Sequence, residues 1–382
     1  MTTQKTLFTL GFATLALASP LLSKAQSSLP VYIGTYTGGL SKGIYRTTLN
    51  LKDGALSKPE LVAETSSPSF LAFHPSGKYL YAVNEDQEFN GEKSGAVSSF
   101  QIDPATGQLT SLNQVSSRGV WPCHVMLDKA GKFAYIANYA GGNYTVLPLL
   151  ADGYVGEVMQ TVSRAGTLGS NKARQDMPHP HSMNFASGFK YLIGCDLGTD
   201  SVLTYRADSN TGRLTPAKSL HLPSGTGPRH FAFHPNGKLA FVNGELASTL
   251  TSLRYTASTG ELTPIQALST LPKDFKGSST TAETKVHPSG KFVYVSNRGH
   301  DSIAVFTVNA DTGAITFMGN DSTLGKTPRN FNIDPSGKFL IAGNQDSNSL
   351  VSFRINSTTG RLTPTGSKVT VGKPVCVRFY TK

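Results

Sequence analysis

The chain has 382 residues, a formal net charge of +11 and 38% hydrophobic residues. Its cations are scattered, with no run of five or more, which argues for a mildly basic surface and against a nucleic-acid partner. Its cysteines, Cys123, Cys195 and Cys376, are too few and odd in number for a disulfide framework; zinc-type spacing is absent and no cofactor is implied.

Taken in chain order, residues 1–25 read as an export signal. Lys5 gives a positive start, Leu7 to Leu22 is apolar, and Ser23 and Ala25 place small residues at the −3 and −1 positions before Gln26. The apolar run is short and has no stop-transfer pattern, so the expected location is periplasmic or secreted, with no membrane anchor. Residues 26–382 then form one domain.

That domain repeats one design. HPSGKYLYAVNE (74–85), DKAGKFAYIANY (128–139), ASGFKYLIGCD (186–196), HPNGKLAFVNGE (234–245), HPSGKFVYVSNR (287–298) and DPSGKFLIAGNQ (334–345) recur with a period of 47 to 57 residues. This period accommodates four short strands and is too long for a helical solenoid repeat. In each unit an apolar strand such as 70–73 meets a Pro-Ser-Gly-Lys turn, whose glycine supplies positive φ, and a β-branched and aromatic strand such as 79–83 returns. A third strand such as 96–102 leads to a second turn, DPATGQLT (103–110), DSNTGRLT (208–215), TASTGELT (256–263), NADTGAIT (309–316) or NSTTGRLT (356–363), and a polar outer strand follows. No helix is expected. Residues 31–57 match the last three strands of a unit and 373–382 match its missing first strand. Joining them makes an all-β, seven-bladed β-propeller whose ring is closed by the N- and C-terminal strands in one blade.

The start of the first strand and the end of the second lie at the same mouth of the channel. The two position sets there are Glu85, Tyr139, Asp196, Glu245, Arg298 and Gln345, and the pairs Ser69-Phe70, Cys123-His124, His181-Ser182, Arg229-His230, Ala282-Glu283, Arg329-Asn330 and Val375-Cys376. They vary between units and are rich in charge while the strands stay alike, which suits a binding site built on a scaffold. His74, His234 and His287 share one turn position and read as turn caps; His221 and His300 fall outside both sets and read as loop residues. His124, His179, His181 and His230 remain near the mouth. With Arg229, Glu245, Glu283 and Arg298 they put acid, base and cation on successive blades; a ring of structural salt bridges is the bland alternative.

PHPHS, GPRHFAFHPNGK, VNGEL, AETKVHPSGKFVYVSNRGHDSI and TPRNFNIDPSGKFL make the chain resemble the seven-bladed lactonase propellers, which include propeller-type 6-phosphogluconolactonases and carboxy-cis,cis-muconate cyclase. The resemblance runs over essentially all of residues 26–382 and implies His181, Arg229, Glu245 and Arg298 as the catalytic set. Gly244 before Glu245 departs from a VNE pattern common in such sequences. The implied reaction is hydrolysis of a 6-phosphogluconolactone-type sugar lactone, an acidic small-molecule substrate, without a metal. His181 or Glu245 would be the base, and the sequence does not choose between them. Arg229 and Arg298 would hold the acidic group and the carbonyl oxygen. Lys285 and Arg329 are candidates for a phosphate contact, and His124, His179, His230 and Glu283 for further substrate contacts. A lactonizing muconate cycloisomerase on the same residues and a non-catalytic exported binding propeller are the alternatives. A monomer is expected.

Overall fold

The computed structural model describes residues 1–5 and 27–381. The predicted apolar core of the export signal lies outside the described residues. Among the described residues no helix is assigned, and the strands form seven four-stranded antiparallel sheets. We number the blades by their inner strands: Pro68–Phe73, Pro122–Leu127, Pro180–Phe185, Pro228–Phe233, Thr280–Val286 and Pro328–Ile333 open blades 1 to 6.

Blade 7 is the predicted closure. Its inner strand is Pro374–Phe379, paired with Ser28–Thr35, which continues into Gly43–Asn50 and Glu60–Glu64. Val31 to Thr35 pair with Phe379 to Pro374, so the two ends of the chain share one hydrogen-bonded ladder. Tyr380 then donates from its hydroxyl to Gly77 O of blade 1 at 2.5 Å, tying the closing strand to the next blade.

The core sits between blades rather than within them, because a four-stranded sheet must cover both faces. Tyr191, Ile193 and Val202 of blade 3, for example, pack with Phe231, Ala240 and Val242 of blade 4. The turn histidines do more than cap. His74, His234 and His287 reach the turn carbonyls of Gly131, Gly290 and Gly337 in the next blade at 3.0, 2.9 and 2.8 Å. Gly131 has φ of 70°, and a Cβ there would meet His74 Nε2 at 2.1 Å, so backbone and neighbour both require glycine. His221 ends the outer strand Leu214–His221 of blade 3 rather than lying in a loop. Cys123, Cys195 and Cys376 are free and buried.

One irregularity positions the site. In blades 1, 2, 3 and 6 the ladder skips between the opening proline and the residue two further on: Pro68/Phe70, Pro122/His124, Pro180/Ser182 and Pro328/Asn330. Blades 4 and 5 skip two residues, Arg229-His230 and Ala282-Glu283. Blade 7 carries the same shift on its own inner strand, where Gly34 and Thr35 pair with Cys376 and Pro374 and Val375 is skipped. A bulge re-aims a side chain, and here it does so once per blade around a common axis.

Deleting residues 374–382 removes the inner strand of blade 7 and exposes two blade faces. The melting temperature should fall by more than about 10 °C in a thermal scan; a truncated protein as stable as the parent would refute the closure.

Candidate active site

The bulged residues and the ends of the second strands converge on one mouth. Of these, Cys123, His181, Arg329, Glu85, Tyr139, Glu245 and Arg298 line a pocket of about 260 Å³, just below the range of about 300–1,000 Å³ usual for drug-sized ligands. Trp121 and Tyr139 form an aromatic wall. Arg174, Arg298, Arg329, Glu85, Glu245 and His181 supply its charge and chemistry.

Glu245 is the centre of this network. Its carboxylate is 2% exposed and meets three guanidinium groups: Arg229 Nε at 2.8 Å, Arg174 Nη2 at 2.7 Å and Arg298 Nη2 at 3.1 Å. The Arg229 Nε–H is not aimed along its contact, which is therefore an ion pair rather than an aligned hydrogen bond; Arg229 instead donates from Nη1 to Ala282 O at 2.7 Å. Burial alone would push the Glu245 carboxyl up, but Arg298, Arg229 and Arg174 together hold it well below the usual carboxylate range. A carboxylate held so low accepts a proton poorly, so the geometry favours Glu245 as the organiser of the arginines rather than the base.

His181 is in the opposite condition. It is buried on the pocket wall, with Tyr139 edge-on at 5.5 Å. Burial first, then Arg229, His230 and Arg329, push its imidazole well below the ordinary value, so it is neutral at neutral pH. The neighbouring Cys123 thiol is pushed up by burial and is not a thiolate nucleophile at that pH.

Arg329 stands apart among the cations of the pocket. Its guanidinium lies 5.3 Å from the Tyr36 ring centroid, and Tyr36 donates to Glu85 at 2.8 Å. Among the described residues it makes no ion pair within 4.0 Å, which leaves its charge available to a ligand anion. With Arg174 and Arg298 on the wall, and Arg229 behind it, it outweighs the two carboxylates, Glu245 and Glu85, so the pocket favours a negative guest.

Other predicted residues fall elsewhere. His179 stands behind the wall: it stacks on Tyr139 at 4.3 Å, its Nδ1 meets Tyr139 O at 3.0 Å and its Nε2 meets Asp176 at 2.9 Å. Both ring nitrogens are engaged, so it buttresses Tyr139 instead of lining the pocket. Below the mouth, His124 lies over Phe70 at 4.1 Å and His230 meets Glu283 at 2.9 Å. Lys285 lies two residues beyond Glu283, about 7 Å deeper along the strand, and contacts it at 3.5 Å. His124 and Lys285 do not line the pocket, because strand alternation carries them past the mouth. Asp196 accepts from His179 N and Gly198 N and is structural.

Sequence reading missed Arg174. It lies in residues 164–179, the connection between Gln160–Ser163 and Pro180–Phe185, which belongs to no repeated position. It holds Glu245 and donates to Tyr139 Oη at 3.3 Å. The available signal was spacing, since Gly131 to Gly188 is the longest interval in the repeat. Among the described residues no group of three or more His, Cys, Asp or Glu is arranged to hold a metal ion.

Comparison with known proteins places this architecture. A family model described as lactonase, seven-bladed β-propeller, matches residues 30–379. A 6-phosphogluconolactonase of Bacillus subtilis is 40% identical over 301 residues, covering 78% of this chain and 83% of that protein. One from Formosa agariphila is 33% identical over 307 residues, covering 79% and 85%. The solved structure of a Pseudomonas aeruginosa periplasmic gluconolactonase superposes with a TM-score of 0.86 at 32% identity, covering 93% of this chain and 99% of that one. The chain belongs to the seven-bladed β-propeller lactonase family. It is an enzyme of the lactonase class, as the sequence motifs imply.

Arg229→Ala and Glu245→Gln each leave buried charge without its partner, which costs stability without dismantling the blades. Each should lower the melting temperature and cut lactone turnover by more than about tenfold. Wild-type turnover in both folded variants would remove the network from catalysis.

Proposed function

We propose that the protein hydrolyses a gluconolactone-type sugar lactone, with the 6-phosphate ester as the first substrate to test, and does so outside the cytoplasm. The observation that carries this reading is the pairing of a neutral His181 with an excess of guanidinium charge in one small pocket. The names of the Bacillus, Formosa and Pseudomonas relatives support the substrate class, and the last is periplasmic by name. Residues 1–25 supply the export signal in this reading.

Lactone hydrolysis needs a base for water, cations for the developing oxyanion and a proton for the ring oxygen that leaves. His181 takes the proton of the attacking water, a contribution of about 10²–10⁴-fold. Arg298 faces the carbonyl oxygen with Arg229 behind it, and donors of this kind are worth about 3 kcal/mol each where water is excluded. Of the two phosphate candidates in the sequence, Arg329 keeps that role, and with Arg174 in place of Lys285 it holds the acidic group of the substrate. Trp121 and Tyr139 pack against the sugar ring.

Purified residues 26–382, assayed by pH-stat on δ-gluconolactone and its 6-phosphate, test the reading. Saturable turnover of either supports it, and a preference for the phosphate that disappears in Arg329→Ala assigns that contact. Turnover of carboxymuconates alone would make the protein a cycloisomerase, and binding without product a carrier.

The sign of the pH dependence follows from His181. The base works only when neutral, so kcat/KM falls as pH drops through its lowered value. Activity at about pH 6 should therefore remain within about twofold of that at about pH 7.5. An acid limb centred at or above the ordinary histidine value would contradict His181 as the base.

A further inference from the structure

Beneath the pocket is a second cavity of about 10 Å³, room for a single water molecule on the usual scale of about 10–15 Å³. Glu85, Cys123, His181 and Arg329 line both spaces, whereas His230 lines only the lower one. His181 is thus a partition between the substrate pocket and a chamber holding a second imidazole, with the two rings 5.4 Å apart.

His230 is held in one tautomer. Its Nδ1 lies 2.9 Å from Glu283 Oε1. Burial would push the Glu283 carboxyl up, but Lys285, His230 and Arg378 hold it well below the carboxylate range. Being ionised it can only accept, so Nδ1 carries the hydrogen and Nε2 keeps its lone pair. Asn330 Nδ2 binds Glu283 Oε2, and Thr284 N donates to Oε1 at 2.9 Å. The two-residue bulges of blades 4 and 5 place this pair. The freed amides are taken by side chains, His230 N by Asn243 Oδ1 at 2.9 Å and Glu283 N by Ser296 Oγ at 3.0 Å.

We propose that Glu283 and His230 form a proton store for the reaction, receiving through a water in this lower cavity the proton that His181 takes from the hydrolytic water. The inference rests on the lactonase reading above. His181 is badly placed to keep that proton, because Arg229 and Arg329 face it and its imidazolium would be a buried cation among cations. Burial lowers His230 too, to about 4, and it faces Arg229, Lys285, His124 and His181, but unlike His181 it has a carboxylate at hydrogen-bond distance. Charge moved from His181 to His230 therefore gains compensation.

The step balances without a co-reactant. As the water oxygen bonds to the lactone carbonyl carbon, its O–H breaks and the proton goes to the His181 nitrogen facing the pocket. The other ring nitrogen releases its proton to the cavity water, which passes one of its own to His230 Nε2. When the tetrahedral adduct collapses, the bond to the ring oxygen breaks and the proton returns by the same path to that oxygen. His230 and Glu283 touch no substrate atom, so they are positioning and proton-holding residues.

Glu283→Gln and His230→Asn in the 26–382 protein test this, with kcat, KM and rates in mixtures of H₂O and D₂O as readouts. The expected result is a fall in kcat of about 10–100-fold with KM within about twofold. The dependence of rate on deuterium fraction should change from curved in the wild type to linear in the variants, because fewer protons move together. Folded variants with wild-type kcat and an unchanged curve would overturn the store while leaving the lactonase reading intact. If Glu283→Gln does not fold, His230→Asn decides alone. A wild type inactive on every lactone would remove the reading of the pocket; ¹⁵N histidine spectra then judge the pair, the Nδ1–H tautomer of His230 supporting it and the Nε2–H tautomer refuting it.

Discussion

A carboxylate buried as deeply as that of Glu245 is tolerable only if cations come to it, and the organisation of the mouth follows from that demand. Arg229, Arg298 and Arg174 reach it from the inner strand of blade 4, the second strand of blade 5 and the connection into blade 3. None of the three is near another in sequence, so their convergence requires the ring to be closed and its blades held in register. The tyrosine, histidine and core contacts between neighbouring blades support that register. Closure and site are in this sense one problem.

The bulge at the head of each inner strand connects the scaffold to the chemistry. A regular strand would alternate its side chains between the two faces of the blade. The extra residue breaks that alternation at one level, so His181 and Arg329 join the mouth while Asn330, next to Arg329, lines the next level down. Functional groups thereby come in tiers. The upper tier binds and polarises, and the lower tier, with His230 and Glu283, is buried, paired and suited to holding charge. Burial acts in opposite directions on the two kinds of group: it keeps His181 neutral, whereas the guanidinium groups keep Glu245 ionised against it.

Much of this was legible in the chain. The spacing of HPSGK-type turns, the TGxLT turns and the split unit at the two ends defined blade number and closure, because strand alternation and turn chemistry are local properties. Position within the repeat also separated His74, His234 and His287 from His181 and His230. It failed where depth mattered. His124 and Lys285 occupy strand positions next to functional ones yet lie below the pocket, and His179 points behind Tyr139.

The sequence by itself determined the fold, the ring closure and the short set of charged residues from which a site could be made, since each is written in a period that the backbone must obey. Only the tertiary structure decided which of those residues meet. Arg174 belongs to no repeat position, and the choice of Glu245 as organiser over base depends on how many guanidinium groups surround it. Electrostatic environment is a sum over neighbours in space, and a linear sequence does not contain that sum until the blades have closed on their axis.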